Sequence, residues 1–230
     1  MKKKRLGYLG PIYSFSYEAA WKHYGRKVIM IPMKNFNEIV DSVESGAIDL
    51  GIIPFWNPYE EHIRESQEKI FNSGVIATAI IKEKIDLCLC CSQSIPLSEI
   101  RSLISNEHVF KQCDKWLAEN MARAKIRYTL STAKAAEEVK KKKYVAAICS
   151  KKVIKKNGLF CLAKKIENEG NTTLFFVIEK DDKSKLTGKY CLVAINLYEN
   201  SQKKRNFRYS GRAWFFSYPK FYSSTSERRI

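Results

Sequence analysis

The sequence has no run of about eighteen consecutive apolar residues, so it predicts no membrane-spanning helix and no membrane partner. Its cysteines are odd in number, seven, and its three histidines (His23, His62 and His108) lie far apart. The two clustered Cys or His pairs that a structural zinc site draws on are not recognisable, so no metal and no cofactor is expected. Most of the cysteines sit in apolar runs and are expected to be buried, reduced thiols. The basic opening Met-Lys-Lys-Lys-Arg leads into a stretch too short and too broken for a signal-peptide core, which makes the expected location cytoplasmic. There is no internal repeat.

Acidic residues are also scarce. Lys and Arg number 41 against 24 Asp and Glu, a formal net charge of +17. Basic runs occur at 140–143, 151–152, 155–156 and 203–205. One reading is a nucleic-acid surface. The other is a solvated lysine-rich surface, and it is preferred because no aromatic-interleaved binding motif accompanies the charge. No nucleic-acid partner is therefore expected. A basic surface does favour the approach of a dianionic small molecule.

The chain has 230 residues, 45% of them hydrophobic, enough to bury a core in one or two domains. Residues 4–8 read as a short strand entering a Gly-Pro loop. Ser14 or Ser16 caps a helix that stops at Gly25. A strand at 28–31, a helix at 37–46 and a buried strand at 50–53 follow, an alternation that predicts a mostly parallel, two-faced sheet. Further strands are predicted at 75–81, 85–91, 127–129, 145–149 and 174–179, and helices at 98–104, 109–121, 132–142 and 151–156. After Lys180 the composition shifts to a charged linker, a strand pattern at 189–197 and an aromatic, basic stretch at 205–218, with 223–230 reading as frayed.

Two loops lead into helix N-termini. One is Gly10-Pro11-Ile12-Tyr13-Ser14-Phe15-Ser16 and the other is Leu130-Ser131-Thr132-Ala133. Helix N-termini present unpaired N–H groups and partial positive charge, so two of them facing across a cleft suit a small dicarboxylate. Ser14, Ser131 and Thr132 read equally well as plain caps.

The order of segments adds a family resemblance. Tyr8-Leu9-Gly10-Pro11-x-x-Ser14-Phe15-Ser16-x-x-Ala19-Ala20, Asp49-x-Gly51-Ile52-Ile53-Pro54, Gln112-Cys113-x-x-Trp116-Leu117, Ser131-Thr132-Ala133-x-Ala135-Ala136, Ala146-Ala147-Ile148-x-Ser150 with Gly158-Leu159, and Asn171-Thr172-Thr173-Leu174-Phe175 together resemble the prephenate dehydratases over roughly residues 5–180. Six blocks in order are more specific than any one alone. The resemblance implies a two-lobed α/β fold of the type II periplasmic-binding-protein kind, with prephenate in the cleft. Lobe 1 would take about residues 1–80 plus 160–180 and lobe 2 about 81–159, with a basic C-terminal extension at 181–230. It also implies a homodimer. By the same resemblance Thr173 is the catalytic proton donor, and Ser14, Phe15, Asn57, Asn106, Ser131, Thr132, Ala133 and Phe175 bind substrate. The tail is too short for the family's phenylalanine-binding regulatory domain, so no such feedback is expected.

The departures cluster at the expected site. Tyr13 stands where the family has glycine, and Trp56 and Pro58 flank Asn57 in place of Glu and Ser. Asn106, Glu107 and His108 replace His, Pro and Gln, and Leu174 replaces the arginine after Thr173. Losing an arginine removes a charge-assisted carboxylate contact worth about 1.5–3 kcal/mol. Thr173-Leu174-Phe175 is similar to the prephenate decarboxylases of bacilysin-type antibiotic pathways. That resemblance implies non-aromatising decarboxylation of prephenate to a dihydro-4-hydroxyphenylpyruvate. Retention of Thr173 favours the alternative, dehydration to phenylpyruvate in aromatic amino acid biosynthesis. A non-catalytic acid-binding domain on the same scaffold is a third reading. Glu83 reads either as facing the cleft or, preferred, as a solvated helix or strand end, and Cys113 and Cys149 as core residues.

Overall fold

A computed structural model describes residues 2–59, 69–70 and 72–181, together with the backbone of strands 190–195, 212–217 and 220–224. The chain divides into two compact units, Met1–Lys180 and Asp181–Ile230.

The first unit holds two mixed five-stranded sheets. In lobe 1 the strands are β1 (Lys4–Leu9), β2 (Val28–Met33), β3 (Leu50–Trp56), β4 (Val75–Lys84) and β10 (Thr172–Lys180), in the order β2-β1-β3-β10-β4. β1 runs parallel to β2 and β3, and β10 runs antiparallel to β3 and β4. Helix α1 (Phe15–Tyr24) covers one face, where Tyr8, Ala19, Ala20, Ile52, Ile81, Phe175 and Val177 form one cluster. Helix α2 (Phe36–Glu44) buries Ile39, Val40 and Val43. Gly51 permits its close approach, since a Cβ there would lie 2.6 Å from Ile39 Cγ2 and 2.8 Å from Ile178 Cγ1. The rings of Phe55 and Phe176 stack at 3.6 Å between β3 and β10.

In lobe 2 the strands are β5 (Cys88–Cys91), β6 (Ser102–Ser105), β7 (Lys125–Tyr128), β8 (Val145–Cys149) and β9 (Phe160–Lys164), in the order β7-β6-β8-β5-β9. Helices α3 (Glu107–Gln112) and α4 (Asp114–Asn120) cover one face through Val109, Phe110, Cys113 and Leu117. Helices α5 (Thr132–Val139) and α6 (Lys151–Asn157) cover the other through Ala135, Ala136, Val139, Val153 and Ile154. The alternation within β5 divides its thiols, with Cys88 and Cys90 toward the second cluster and Cys91 toward the first. Cys113 and Cys149 are fully buried, and burial pushes the Cys113 thiol well above its ordinary value. Among the described residues no group of His, Cys, Asp or Glu is arranged to hold a metal, and no helix is long and apolar enough to cross a membrane.

Two strand readings change. The helix expected at 98–104 is instead a short 3-10 turn, Leu97–Glu99, followed by β6. β6 is a central strand between β7 and β8, buried on both faces at Leu103, Ile104 and Ser105, and so short an apolar run has no period that separates strand from helix. Residues 160–164, expected to return to lobe 1, form β9 and pair with β5 in lobe 2, while β4 continues in lobe 1 to Lys84. The crossings between lobes therefore fall at 85–87 and 165–171.

Those two crossings are hydrogen-bonded to each other. The Ile85 N–H donates to the Asn171 carbonyl at 3.0 Å, the Ile166 N–H donates to the Leu87 carbonyl at 3.1 Å, and the Leu87 N–H donates to the Glu167 carboxylate at 2.8 Å.

The second unit contains a three-stranded sheet of β11 (Tyr190–Ile195), β12 (Arg212–Ser217) and β13 (Lys220–Ser224). β11 is parallel to β12 and β12 is antiparallel to β13. The strand expected at 189–197 is β11. Most of the frayed segment expected at 223–230 lies outside the described residues.

Candidate active site in the interlobe cleft

Thr173 is the second residue of β10, just past the crossing, and is buried. Its Oγ1 accepts a 2.9 Å hydrogen bond from Asn57 Nδ2, which also donates to Asn171 Oδ1 at 3.0 Å. The Tyr59 N–H donates to Asn57 Oδ1 at 2.9 Å and so fixes which end of the Asn57 amide is the acceptor. Asn171 passes the chain on, donating through Nδ2 to Gln112 Oε1 at 3.0 Å and to the Ile85 carbonyl at 3.4 Å. Asn57, Gln112, Asn171 and Thr173 are all buried, and together they join lobe 1, the crossing and lobe 2. Because Thr173 Oγ1 accepts from Asn57, its own proton is not used in that bond.

Strand register decides which neighbours share the Thr173 face. Across to β4, Thr173 pairs with Glu83, Leu174 with Lys82, and Phe175 with Ile81. Paired residues point the same way and adjacent ones point oppositely. Phe175 and Ile81 belong to the α1-side cluster, so Thr173 and Glu83 face α1, and Leu174 and Lys82 face the other way. Leu174 is half-buried beside Trp56. Phe175 is 1% exposed and is core beneath the site rather than a surface for ligand.

On the α1 side a cavity of about 380 Å³ lies between the lobes. Phe15, Glu18 and Ala19 line it from lobe 1, Glu83 and Ile85 from the end of β4 and the crossing, and Ser150 and Lys152 from the start of α6. Glu83 is thus a cavity residue, held by Lys22 at 2.8 Å, and not the solvated end expected from sequence. Glu18 reaches across the gap, accepting from Ser150 Oγ at 2.8 Å and pairing with Lys152 at 3.0 Å. Phe15 packs against the cores of both lobes.

The remaining predicted site residues divide by role. Ser14 caps α1, accepting from the Tyr17 N–H at 3.2 Å and donating to the Leu9 carbonyl at 2.7 Å, so its hydroxyl is spent on the backbone. Ser131 caps α5 by accepting from the Lys134 N–H at 3.1 Å. Thr132 and Ala133 follow it, both buried. Asn106 caps the six-residue α3 by accepting from the His108 N–H, and its Nδ2 donates to the Leu130 carbonyl at 3.3 Å, which ties it to the Ser131 loop.

Thr173 and Asn57 are therefore brought together directly, and Asn106 with the loop of Ser131. Sequence reasoning did not single out Asn171, Gln112, Glu18 or Ser150 as site residues. Asn171 had a signal, standing two residues before Thr173 in the same motif. Glu18 had none, because its partners lie 132 and 134 residues away.

A family model described as prephenate dehydratase matches residues 6–183. A bifunctional chorismate mutase/prephenate dehydratase of Stutzerimonas stutzeri is 30% identical over 175 residues, covering 76% of this chain and 48% of that protein. The chain thus spans about half the length of the curated relatives it matches. Among solved structures, the prephenate dehydratase of Arthrobacter aurescens in complex with L-Phe superposes with a TM-score of 0.70 at 24% identity, over 77% of this chain and 60% of that one. The prephenate dehydratase of Staphylococcus aureus gives a TM-score of 0.67 at 23% identity, over 77% and 67%. These two likenesses concern the fold. Through the match over residues 6–183, the chain belongs to the prephenate dehydratase family.

Proposed function

We propose that the protein is a lyase that acts on prephenate, releasing carbon dioxide and water to form phenylpyruvate. The observation that carries this reading is the buried 2.9 Å hydrogen bond from Asn57 Nδ2 to Thr173 Oγ1. Loss of the ring carboxylate as carbon dioxide pushes an electron pair through the ring and out with the ring hydroxyl. That hydroxyl leaves as water only if it gains a proton. Thr173 supplies it, and the Asn57 N–H already aimed at Oγ1 stabilises the negative charge left there until solvent reprotonates it. Burial of Asn57 and Thr173 strengthens this contact. The basic surface favours the approach of a dianion.

A second reading, decarboxylation without aromatisation, is favoured by Trp56 and Pro58 on either side of Asn57. There the electron pair takes a proton on ring carbon and the hydroxyl stays. The position of Leu174, on the face away from Thr173, weakens that substitution as an argument for this outcome. The test is incubation with prephenate, followed by ultraviolet spectra and product masses. Phenylpyruvate supports the first reading and a dihydro-4-hydroxyphenylpyruvate the second. Calorimetric binding without turnover leaves a binding domain.

A further inference from the structure

We propose that Tyr13 is a specificity-determining residue of the cleft, a ring carried from lobe 1 to lobe 2 that restricts admission of the acid between the lobes. Three observations meet at this residue. Its φ is +71°, a left-handed conformation that glycine adopts freely and a bulky side chain seldom does. A tyrosine is kept there by what its ring touches. The ring packs against the lobe 2 cluster that contains Ala133, Val153 and Ile154, although Tyr13 belongs to the loop before α1 in lobe 1. Lys156, on α6 of lobe 2, places Nζ 4.0 Å from the ring centroid. On the lobe 1 side the ring meets Tyr17 edge-on at 5.4 Å, and Tyr17 stacks on Trp21 at 6.2 Å.

The ring therefore spans the gap beside the Ser14 cap and reaches the cluster of the helix that Ser131 caps. Space that a glycine would leave open at this backbone conformation is filled. A ligand in the cleft either fits beside the ring or moves it, and moving it breaks both the aromatic–cation contact and the apolar packing. Either way the residue acts on admission and not on the proton transfer at Thr173.

The inference rests on the proposal that the cleft takes prephenate, and the experiment separates the two. Tyr13→Gly, Tyr13→Phe and the wild-type chain are compared for prephenate turnover and for amide hydrogen exchange without ligand. In Tyr13→Gly the KM for prephenate is expected to fall about tenfold while kcat stays within about twofold, the pattern of altered binding rather than altered chemistry. Tyr13→Phe keeps the ring and is expected to match wild type. Exchange at the Ala133 and α6 amides is expected to rise in Tyr13→Gly only. Should Tyr13→Gly fold poorly, Tyr13→Asn, which tolerates the left-handed conformation, takes its place. An unchanged or raised KM in Tyr13→Gly, or a Tyr13→Phe variant that behaves like it, overturns the inference. If no variant turns over prephenate, the substrate proposal fails, and the exchange result alone decides whether Tyr13 seals the cleft.

Discussion

Thr173 and Leu174 are neighbours in sequence yet belong to opposite faces of β10, and the difference governs what each substitution does. Thr173→Ala removes the proposed donor and is expected to lower kcat by about 10²–10⁴-fold, the usual contribution of a positioned acid. Thr173→Ser keeps the hydroxyl and is expected to retain most of the activity in the same assay. Leu174→Arg restores the family residue on the face away from the donor. Its KM and product ratio are expected to stay within about twofold of wild type, and a large gain in phenylpyruvate over another product would contradict the strand register. Asn57→Leu leaves the Tyr59 N–H without its acceptor and is expected to cost about 1–3 kcal/mol of stability, read by urea unfolding, as well as activity.

At the scale of elements, close packing and exposed charge make different predictions. Gly51→Ala drives a methyl into Ile39 and Ile178, which belong to α2 and β10, and is expected to cost about 1–3 kcal/mol in a denaturant titration. The pairing of β1 with the turn before β3 is electrostatic. Hydrogen bonds from the Arg5 side chain and backbone N–H hold the Asp49 carboxyl below its ordinary value of 3.8. A folded pKa below the unfolded one gives stability that is present above the unfolded value and is lost as pH falls through the folded one. Asp49→Asn is therefore expected to cost about 0.2–1 kcal/mol at neutral pH, as for an exposed pair. The gap from wild type should close in unfolding curves taken below the ordinary aspartate range. The elements themselves were legible wherever periodicity was long or caps were strong. Ser14 and Ser131 announce α1 and α5, and the run from Val145 to Cys149 announces β8. β6 and β9 were not, because their strand character comes from partners elsewhere in the chain.

For the whole first unit, the six blocks of resemblance led to the right family, since motif order survives divergence. The geometry between blocks was illegible. No local pattern says that Asn57, Gln112 and Asn171 meet, or that Glu18 crosses to Ser150, because each contact is made by folding segments 59 or more residues apart. The Glu18 contacts bridge the lobes at a partly exposed site, so Glu18→Ala is expected to loosen them modestly, raising the KM for prephenate by about two- to fivefold with little change in kcat.

The position of β10 has one more consequence. It lies between β3 and β4, which do not pair with each other, and it is the last strand of its lobe to be made. All five strands of the other lobe come before it in the chain and after β4. During synthesis lobe 2 can close on contacts among its own strands, while the first sheet waits, split, for a strand that follows about ninety residues after β4. Thr173 enters with that strand, so the chemistry proposed for it waits on the closing of the first sheet.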